Sequence, residues 1–428
     1  MRTRFAHIAD VHLGNEQYGM PERFNDFGRA WLSAVDRCIA ERVDFVIIAG
    51  DLFEKRSVEP RALVQAQEGL DMLRGAGIPA VAVEGNHDRA LYVDGMSWME
   101  FLDYSGLLIL LSPMTSRSIK FEPHTTESCG VYTDIGDVRI VGQPFLGAAA
   151  ADRMSDMAPH LMLASRRPYT IYLCHIGLEG VVPHAPGCIT EEEFSIVQPF
   201  VDYVATGHIH RRFERDEWLY NPGSLEACGV DEALIDHGFF IVDVDTSINP
   251  KHRTTYIQSV RRSWACIEIN AGDFTTNEDL ERSVKSLVTE AAKQSEDTPI
   301  IDVKIVGQTT FGKIQVDSDA VKENSSEVLS VTVRNKTSSP SAASPSGEPS
   351  DELTRSEIEH GILSSLFAQR EPYASQASAW ASLTAEIKDV AQTKFTPSEV
   401  LAMLEAQVTK IQSQDLDSTH REVPDATA

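Results

Sequence analysis

Apolar and polar positions follow two alternating patterns over the first two hundred residues. Nearly continuous apolar runs at 3–9, 43–49 and 81–83 have the length and polar borders of buried strands. Between them, Asn25 to Arg42 carries Phe27, Trp31, Leu32, Val35 and Ile39 close to helical period. Pro60 to Arg74 repeats the pattern with Leu63, Leu70 and Leu73, and Gly75-Ala76-Gly77 stops it. Strand, helix, strand, helix, strand predicts a parallel α/β sheet. Beyond a weak stretch that holds one predicted helix, Met96 to Tyr104, strands are expected at Val138 to Gln143, Tyr169 to Cys174 and Val201 to Thr206. Phe239 to Val244 and Thr254 to Val260 are suited to completing a second sheet.

From Ser263 to about Asn335 the texture changes. A strand (Trp264 to Ile269), a helix capped near Thr276 with Leu280, Val284, Leu287 and Val288, and strands at Ile300 to Val306 and Val328 to Val333 predict a small α+β domain. Thr337 to Ser350, rich in serine, proline and alanine, reads as a flexible linker. Helix-start signals follow at Thr354-x-x-Glu357 and Thr396-Pro397-Ser398-Glu399. Trp380, Leu383, Ile387 and Val390 form one narrow seam, and Leu401, Leu404, Val408 and Ile411 another. Helices with such seams on a tether either fold back or dock on a partner, and docking is the expectation here.

The predicted strands share a feature that the hydrophobic pattern does not require. The first runs into Asp10-Val11-His12, the second into Gly50-Asp51, and the third into Gly85-Asn86-His87-Asp88. The strand at 169–174 ends at His175, and that at 201–206 leads to Gly207-His208-Ile209-His210. Ligand crevices of open α/β sheets lie at the carboxyl ends of strands, so this placement marks a candidate site. Taken singly, each histidine reads as an ordinary core or surface residue, and that reading is kept for His7, His124, His160, His184, His237, His252, His360 and His420. Carboxylate, amide and imidazole donors without thiolate suit two borderline cations such as manganese or zinc. Two ions sharing one carboxylate would equip a phosphoester hydrolase.

Composition narrows the setting. With 428 residues, 42% hydrophobic and 24% charged, the chain predicts two or three globular domains. The first residues reach Asp10 without a basic start and an apolar core segment, and no apolar run approaches the roughly 20 residues of a membrane span. A soluble, cytoplasmic protein without a membrane partner is therefore expected. Six cysteines form no C-x-x-C pair and are read as small core residues. A net charge of −26 argues against passive coating of DNA, although paired divalent cations invert the field where a phosphate sits. The acidity reads equally as a solubility or salt adaptation.

Asp10-x-His12, Gly50-Asp51, Gly85-Asn86-His87-Asp88, His175 and Gly207-His208-x-His210 together resemble the signature of the calcineurin-like metallophosphoesterases. Asp-Val-His-Leu-Gly, Gly-Asp-Leu-Phe and Asn221-Pro222-Gly223-Ser224-Leu225-Glu226 are similar to the branch of SbcD-type DNA double-strand-break repair nucleases, over about residues 1–260. The resemblance implies an αββα two-sheet sandwich at 1–262, a small α+β capping domain at 263–336, a linker at 337–350, helices gripping the coiled-coil base of an SMC-like ABC ATPase at 351–413, and a disordered tail at 414–428. It implies one metal on Asp10, His12, Asp51 and His210, and a second on Asp51, Asn86, His175 and His208, with Asp51 bridging. His87 would act on the transition state or the leaving oxygen without binding metal, and Asp88 would orient its imidazole from behind. Several family members carry a histidine three residues after the bridging aspartate, where this chain has Glu54.

The implied activity is a manganese-dependent nuclease, a 3′–5′ exonuclease and single-strand endonuclease, with DNA and the ATPase as partners. Homodimerisation is expected through a helix such as Met96 to Tyr104. The alternative is a phosphodiesterase or phosphatase acting on nucleotides or small phosphoesters with the same metals.

Overall fold

The computed structural model describes residues 1–90, 95–112, 119–126, 128–183, 185–309, 311–312, 314–325, 327–337, 355–368, 370, 373–391 and 404. The chain divides into two units, Met1–Pro340 and Ser341–Ala428. The first unit begins with β1 (Arg2–Ile8), α1 (Pro21–Ala40), β2 (Phe45–Ala49), α2 (Pro60–Gly75), β3 (Ala80–Val83), α3 (Trp98–Tyr104) and β4 (Ile109–Leu110). Next come β5 (Tyr132–Ile135), β6 (Val138–Gln143), α4 (Ala150–Leu163), β7 (Tyr169–Cys174), a short ladder of β8 (Gly177–Leu178) with β9 (Cys188–Ile189), and α5 (Glu191–Ser195). The strands β10 (Tyr203–Ala205), β11 (Phe213–Arg215), β12 (Leu219–Asn221), β13 (Gly238–Asp245) and β14 (His252–Gln258) complete two six-stranded sheets.

One sheet has the order β14-β13-β1-β2-β3-β4 and the other β11-β12-β10-β7-β6-β5. Alternation along each strand sends one set of side chains between the sheets and the other onto helices. Phe5, Phe45, Ile47 and Val81 meet Ile140, Ile171, Leu173 and Tyr203 in the inter-sheet core. The opposite faces pack on α1, α2 and α3 through Ile8, Val46 and Ile48, and on α4 and α5 through Tyr172, Val204 and Leu219. This is the expected four-layer αββα sandwich.

The placement of β13 and β14 differs from the expectation. They extend the first sheet, with β13 antiparallel to β1 from Arg2↔Asp245 to His7↔Phe240. A hydrophobic pattern specifies which face of a strand is buried and leaves its neighbour open. Helix α4 also escaped the sequence reading: Pro159 lies within it, although its buried residues Met154, Met157 and Leu161 keep helical spacing.

The first unit closes with β15 (Trp264–Asn270), α6 (Asn277–Gln294), β16 (Ile300–Val306), α7 (Ser318–Glu323) and β17 (Ser330–Asn335). Thr276 caps α6 by accepting from the Asp279 amide. The three strands are parallel in the order β15-β16-β17 and share a core of Leu280, Val284, Val288, Ile301, Val303 and Ile305. Buried charges join this layer to the sandwich. Asp26 of α1 accepts from Arg23 at 2.8 Å and from Arg262 at 2.5 and 2.8 Å, and Arg262 also donates to the Thr298 carbonyl.

In the second unit, α8 (Arg355–Ala368) and α9 (Ala377–Ala391) pack on one another, with Tyr373 set edge-on to Trp380 and Phe367. Ala381 and Leu383 are buried. Residue 354 of the first predicted helix-start signal, the whole of the second signal, and the second seam apart from Leu404 fall outside the described residues. Among the described residues, no helix is long and apolar enough to cross a membrane.

Candidate metal centre

Five parallel strands deliver the predicted residues to one edge of the sandwich. Asp10 and His12 follow β1, Asp51 follows β2, Asn86 and His87 follow β3, His175 follows β7, and His208 and His210 follow β10. The approach is tight. Gly50 has φ +85, and a Cβ there would collide with the His175 ring; a Cβ on Gly85 would collide with the Asp51 carboxylate. Asp10, His12, Asp51 and His208 all take positive φ, from 50° to 82°. Four non-glycine residues in that sparsely populated region form a concentration of backbone strain at one place.

The side chains fall into two groups around Asp51. On one side, Nε2 of His175 lies 3.3 Å from Asp51 Oδ2 and 3.2 Å from Asn86 Oδ1, and His208 Nδ1 lies 3.0 Å from the same amide oxygen. On the other, His12 Nε2 faces His210 Nε2 at 3.1 Å, and His210 Nε2 is 4.0 Å from Asp10 Oδ1. Asp10, Asp51 and His175 also present ligand atoms within 4.8 Å of one another. All seven predicted ligands are therefore brought together. Asp10, His12, Asp51 and His175 are buried.

The donor set fits divalent cations. Two nitrogens each about 2.1 Å from a shared ion stand roughly 3.0–3.4 Å apart at angles near 90–110°, which matches the His12–His210 separation. Three of the four imidazoles of the set are hydrogen-bonded through their other nitrogen, and the fourth stands beside a carboxylate. His175 Nδ1 donates to the Ala49 carbonyl at 2.7 Å, and His208 Nε2 to the Pro186 carbonyl at 2.6 Å. His12 Nδ1 lies 3.0 Å from Glu54 Oε2, and His210 Nδ1 donates to Glu232 Oε1 at 2.9 Å. Such anchors fix the tautomer, so that the lone pair faces the centre.

The electrostatics reflect this crowding. Burial pushes the Asp51 carboxyl up, but His175, His12 and His87 outweigh it and hold the group well below the usual carboxylate range. For His175, burial pulls down while Asp51 raises it more, to about 9. Burial and the neighbouring His175 lower His208. Asp88, pushed up by burial and by Asp51 to about 6, accepts from the Gly85, Leu52 and Phe53 amides.

That pattern corrects the role expected for Asp88. Its carboxylate ties the β2 and β3 loops together, whereas the His87 ring leans on the Glu54 carbonyl through Nδ1 at 2.6 Å. Glu54 itself supports His12, a role the sequence comparison left open. Glu232 and Cys228 went unnoticed in the sequence. Glu232 is 22 residues beyond His210 with no spacing to flag it, and Cys228, read as a core residue, presents its thiol within 4.8 Å of ligand atoms of His12 and His210.

The family profile described as calcineurin-like phosphoesterase matches residues 3–212, the stretch that holds every one of these strand ends. The chain carries a calcineurin-like phosphoesterase domain. Among relatives of this phosphoesterase domain, the DNA double-strand break repair protein Mre11 of Archaeoglobus fulgidus is 32% identical over 240 residues, which is 54% of this chain and 52% of that protein. The protein of the same name from Aeropyrum pernix is 27% identical over 337 residues, 74% of this chain and 76% of that one. A metallophosphoesterase of Bacillus subtilis, YhaO, is 27% identical over 255 residues, 56% and 57% of the two chains. The match thus spans about half the length of the Archaeoglobus and Bacillus relatives.

Proposed function

We propose that the chain is a two-metal DNA nuclease of double-strand-break repair, a 3′–5′ exonuclease and single-strand endonuclease that takes Mn2+. One observation carries the reading: a single buried carboxylate, Asp51, stands between two clusters of imidazole and oxygen donors drawn from five strand ends. Asp10, His12, Asp51 and His210 would hold one ion, and Asp51, Asn86, His175 and His208 the other. Two such ions, when bound, polarise a phosphodiester and make water nucleophilic near neutral pH. His87, held by its Nδ1 on the Glu54 carbonyl, keeps Nε2 to stabilise the phosphoryl oxygens or to protonate the leaving oxygen. Arg56, donating to the Asn86 carbonyl at 3.2 Å through both Nε and Nη2, puts a guanidinium at the rim, with exposed Arg89 and Arg211 on neighbouring loops. These cations offer contacts to the phosphates flanking the scissile bond, in a chain whose net charge of −26 would otherwise repel DNA.

The names of the archaeal relatives support DNA as substrate and repair as context. The partner we assign is an SMC-like ABC ATPase bound through residues 351–413, where Ile362 and Leu366, one turn apart on α8, are more than half exposed. We assign 1–262 to the nuclease domain, 263–336 to the capping domain and 337–350 to the linker. The working form is a cytoplasmic, DNA-associated homodimer.

Purified protein incubated with Mn2+, and then with chelator, on end-labelled DNA and on bis-p-nitrophenyl phosphate tests the activity. Chelator-sensitive shortening of DNA from its 3′ ends is expected. Hydrolysis of the small ester alone would reassign the chain to nucleotides or small phosphoesters. Deleting the residues after Ser350 should preserve hydrolysis and abolish co-purification with the ATPase, and retained binding would refute the docking segment.

A further inference from the structure

The four ligand imidazoles are anchored in two chemically different ways. His175 and His208, in the Asp51/Asn86 cluster, donate to the neutral carbonyls of Ala49 and Pro186. His12 and His210, which face one another at 3.1 Å, stand beside carboxylates instead: His210 Nδ1 donates to Glu232, and His12 Nδ1 lies 3.0 Å from Glu54 in an ion-pair contact without hydrogen-bond alignment. Each carboxylate is itself fixed: Glu54 accepts from the Asn15 amide at 3.2 Å, and Glu232 from the Cys228 backbone N–H at 2.7 Å. Their backbones are held as well, since the Glu54 carbonyl accepts from His87 Nδ1 and Glu232 closes the helical turn Val230–Glu232.

An ionised acceptor pulls harder on an N–H than a carbonyl does. The electron density it returns to the ring makes the opposite nitrogen a stronger donor, and losing such a partner typically weakens metal binding about 10–100-fold. The pairing is also confined to one cluster, which makes the two halves unequal in charge. Asp10 lies near both sides, but Glu54 and Glu232 stand only against His12 and His210, whereas the other side adds the neutral Asn86 amide to the shared Asp51.

We propose that Glu54 and Glu232 are positioning residues that make the His12/His210 position the tighter of two unequal divalent-metal sites, filled first, with the His175/His208 position filled second. The inference rests on the metal-centre reading above and deepens it by assigning an order of occupancy. It also gives Glu54 a definite task, since its carboxylate works through His12.

The test is a titration of the metal-free full chain with Mn2+ alone, at fixed pH, following the electron paramagnetic resonance signal of the free ion. Two classes of site are expected. Glu54→Gln and Glu232→Gln keep the side-chain shape and a polar atom against the ring while removing the charge. Each should weaken the tighter class about 10–100-fold and leave the weaker class and the thermal unfolding midpoint unchanged. Glu54→Asp, which restores the charge, should recover part of the loss. His208→Ala should abolish the weaker class alone. Two equivalent ions in the wild type, Gln variants that titrate like the wild type, or Gln variants that weaken both classes equally would overturn the proposal and leave the metal centre standing. A wild-type chain that leaves all Mn2+ free would overturn the metal centre and the proposal with it.

Discussion

Two regions of this chain present parallel strands whose carboxyl ends open onto loops, and only one gathers metal-ligand chemistry there. In the sandwich, β1, β2, β3, β7 and β10 end in Asp10, Asp51, Asn86, His175 and His208. In the three-stranded layer, β15, β16 and β17 end in Asn270, Val306 and Asn335, and no group of histidine, cysteine or carboxylate with ligand spacing occurs there among the described residues. A parallel sheet therefore supplies the crevice, and the residue types at the strand ends decide whether it has chemistry. Among the described residues the price is visible only in the first region, where Asp10, Asp51 and His208, together with His12, adopt left-handed backbone.

The sharpest way to break this contrast is at His87. His87→Ala should lower hydrolysis by about 10²–10⁴-fold while metal content, measured by inductively coupled plasma mass spectrometry, stays unchanged. Loss of metal would instead make His87 a ligand. The next effect lies at the joint between the regions. Asp26→Ala removes the carboxylate partner of the buried Arg262 and leaves Arg23 to Glu226 alone, and should cost about 3–5 kcal/mol of stability to urea.

A smaller effect comes from the inter-sheet core. His252 sits between the hydroxyls of Tyr169 (2.7 Å) and Tyr220 (2.9 Å), and burial lowers it to about 4. Burial likewise lowers His7 to about 3. In the unfolded chain both titrate near 6.5, so between those values the unfolded state binds more protons. The stability they contribute is complete above about pH 6.5 and is lost as the pH falls toward 4 and then 3. His252→Gln should flatten the upper part of that acid limb, recorded as urea midpoint against pH, and an unchanged limb would show that other groups drive it. The smallest effect is expected from Ile305→Val in β16, about 0.5–1.5 kcal/mol, with Mn2+ affinity and hydrolysis untouched. A change in either would mean that the two regions are coupled more closely than their separate cores imply.

Periodicity and strand-end composition made much of the site legible. Asp10, Asp51, Asn86 and His175 could be read as ligands because each interrupts the polar border of an apolar run, and a strand has only one carboxyl end. The supporting carboxylates had no such signature. Glu232 is one among 64 acidic residues, and only its distance to His210 singles it out, while Glu54 stood out by its place three residues after Asp51 and gained a partner only from its distance to His12. The same holds for Asp88, whose position beside His87 suggested a contact with the ring, whereas folding turns its carboxylate onto three amides of the loops that carry Asp51 and Asn86.

Local sequence fixes what depends on neighbours within a few residues: which runs are strands, which faces are buried, and which side chains a strand end must present. It also placed the helix start at Thr276 and the change of texture after Ser263. Tertiary structure alone decided that β13 and β14 join the first sheet, that Arg262 reaches Asp26 across 236 positions, and that two imidazoles 198 residues apart point their nitrogens at one spot. Those outcomes turn on contacts between segments distant along the chain, where pattern specifies burial but the identity of the partner is set by how the layers close on one another.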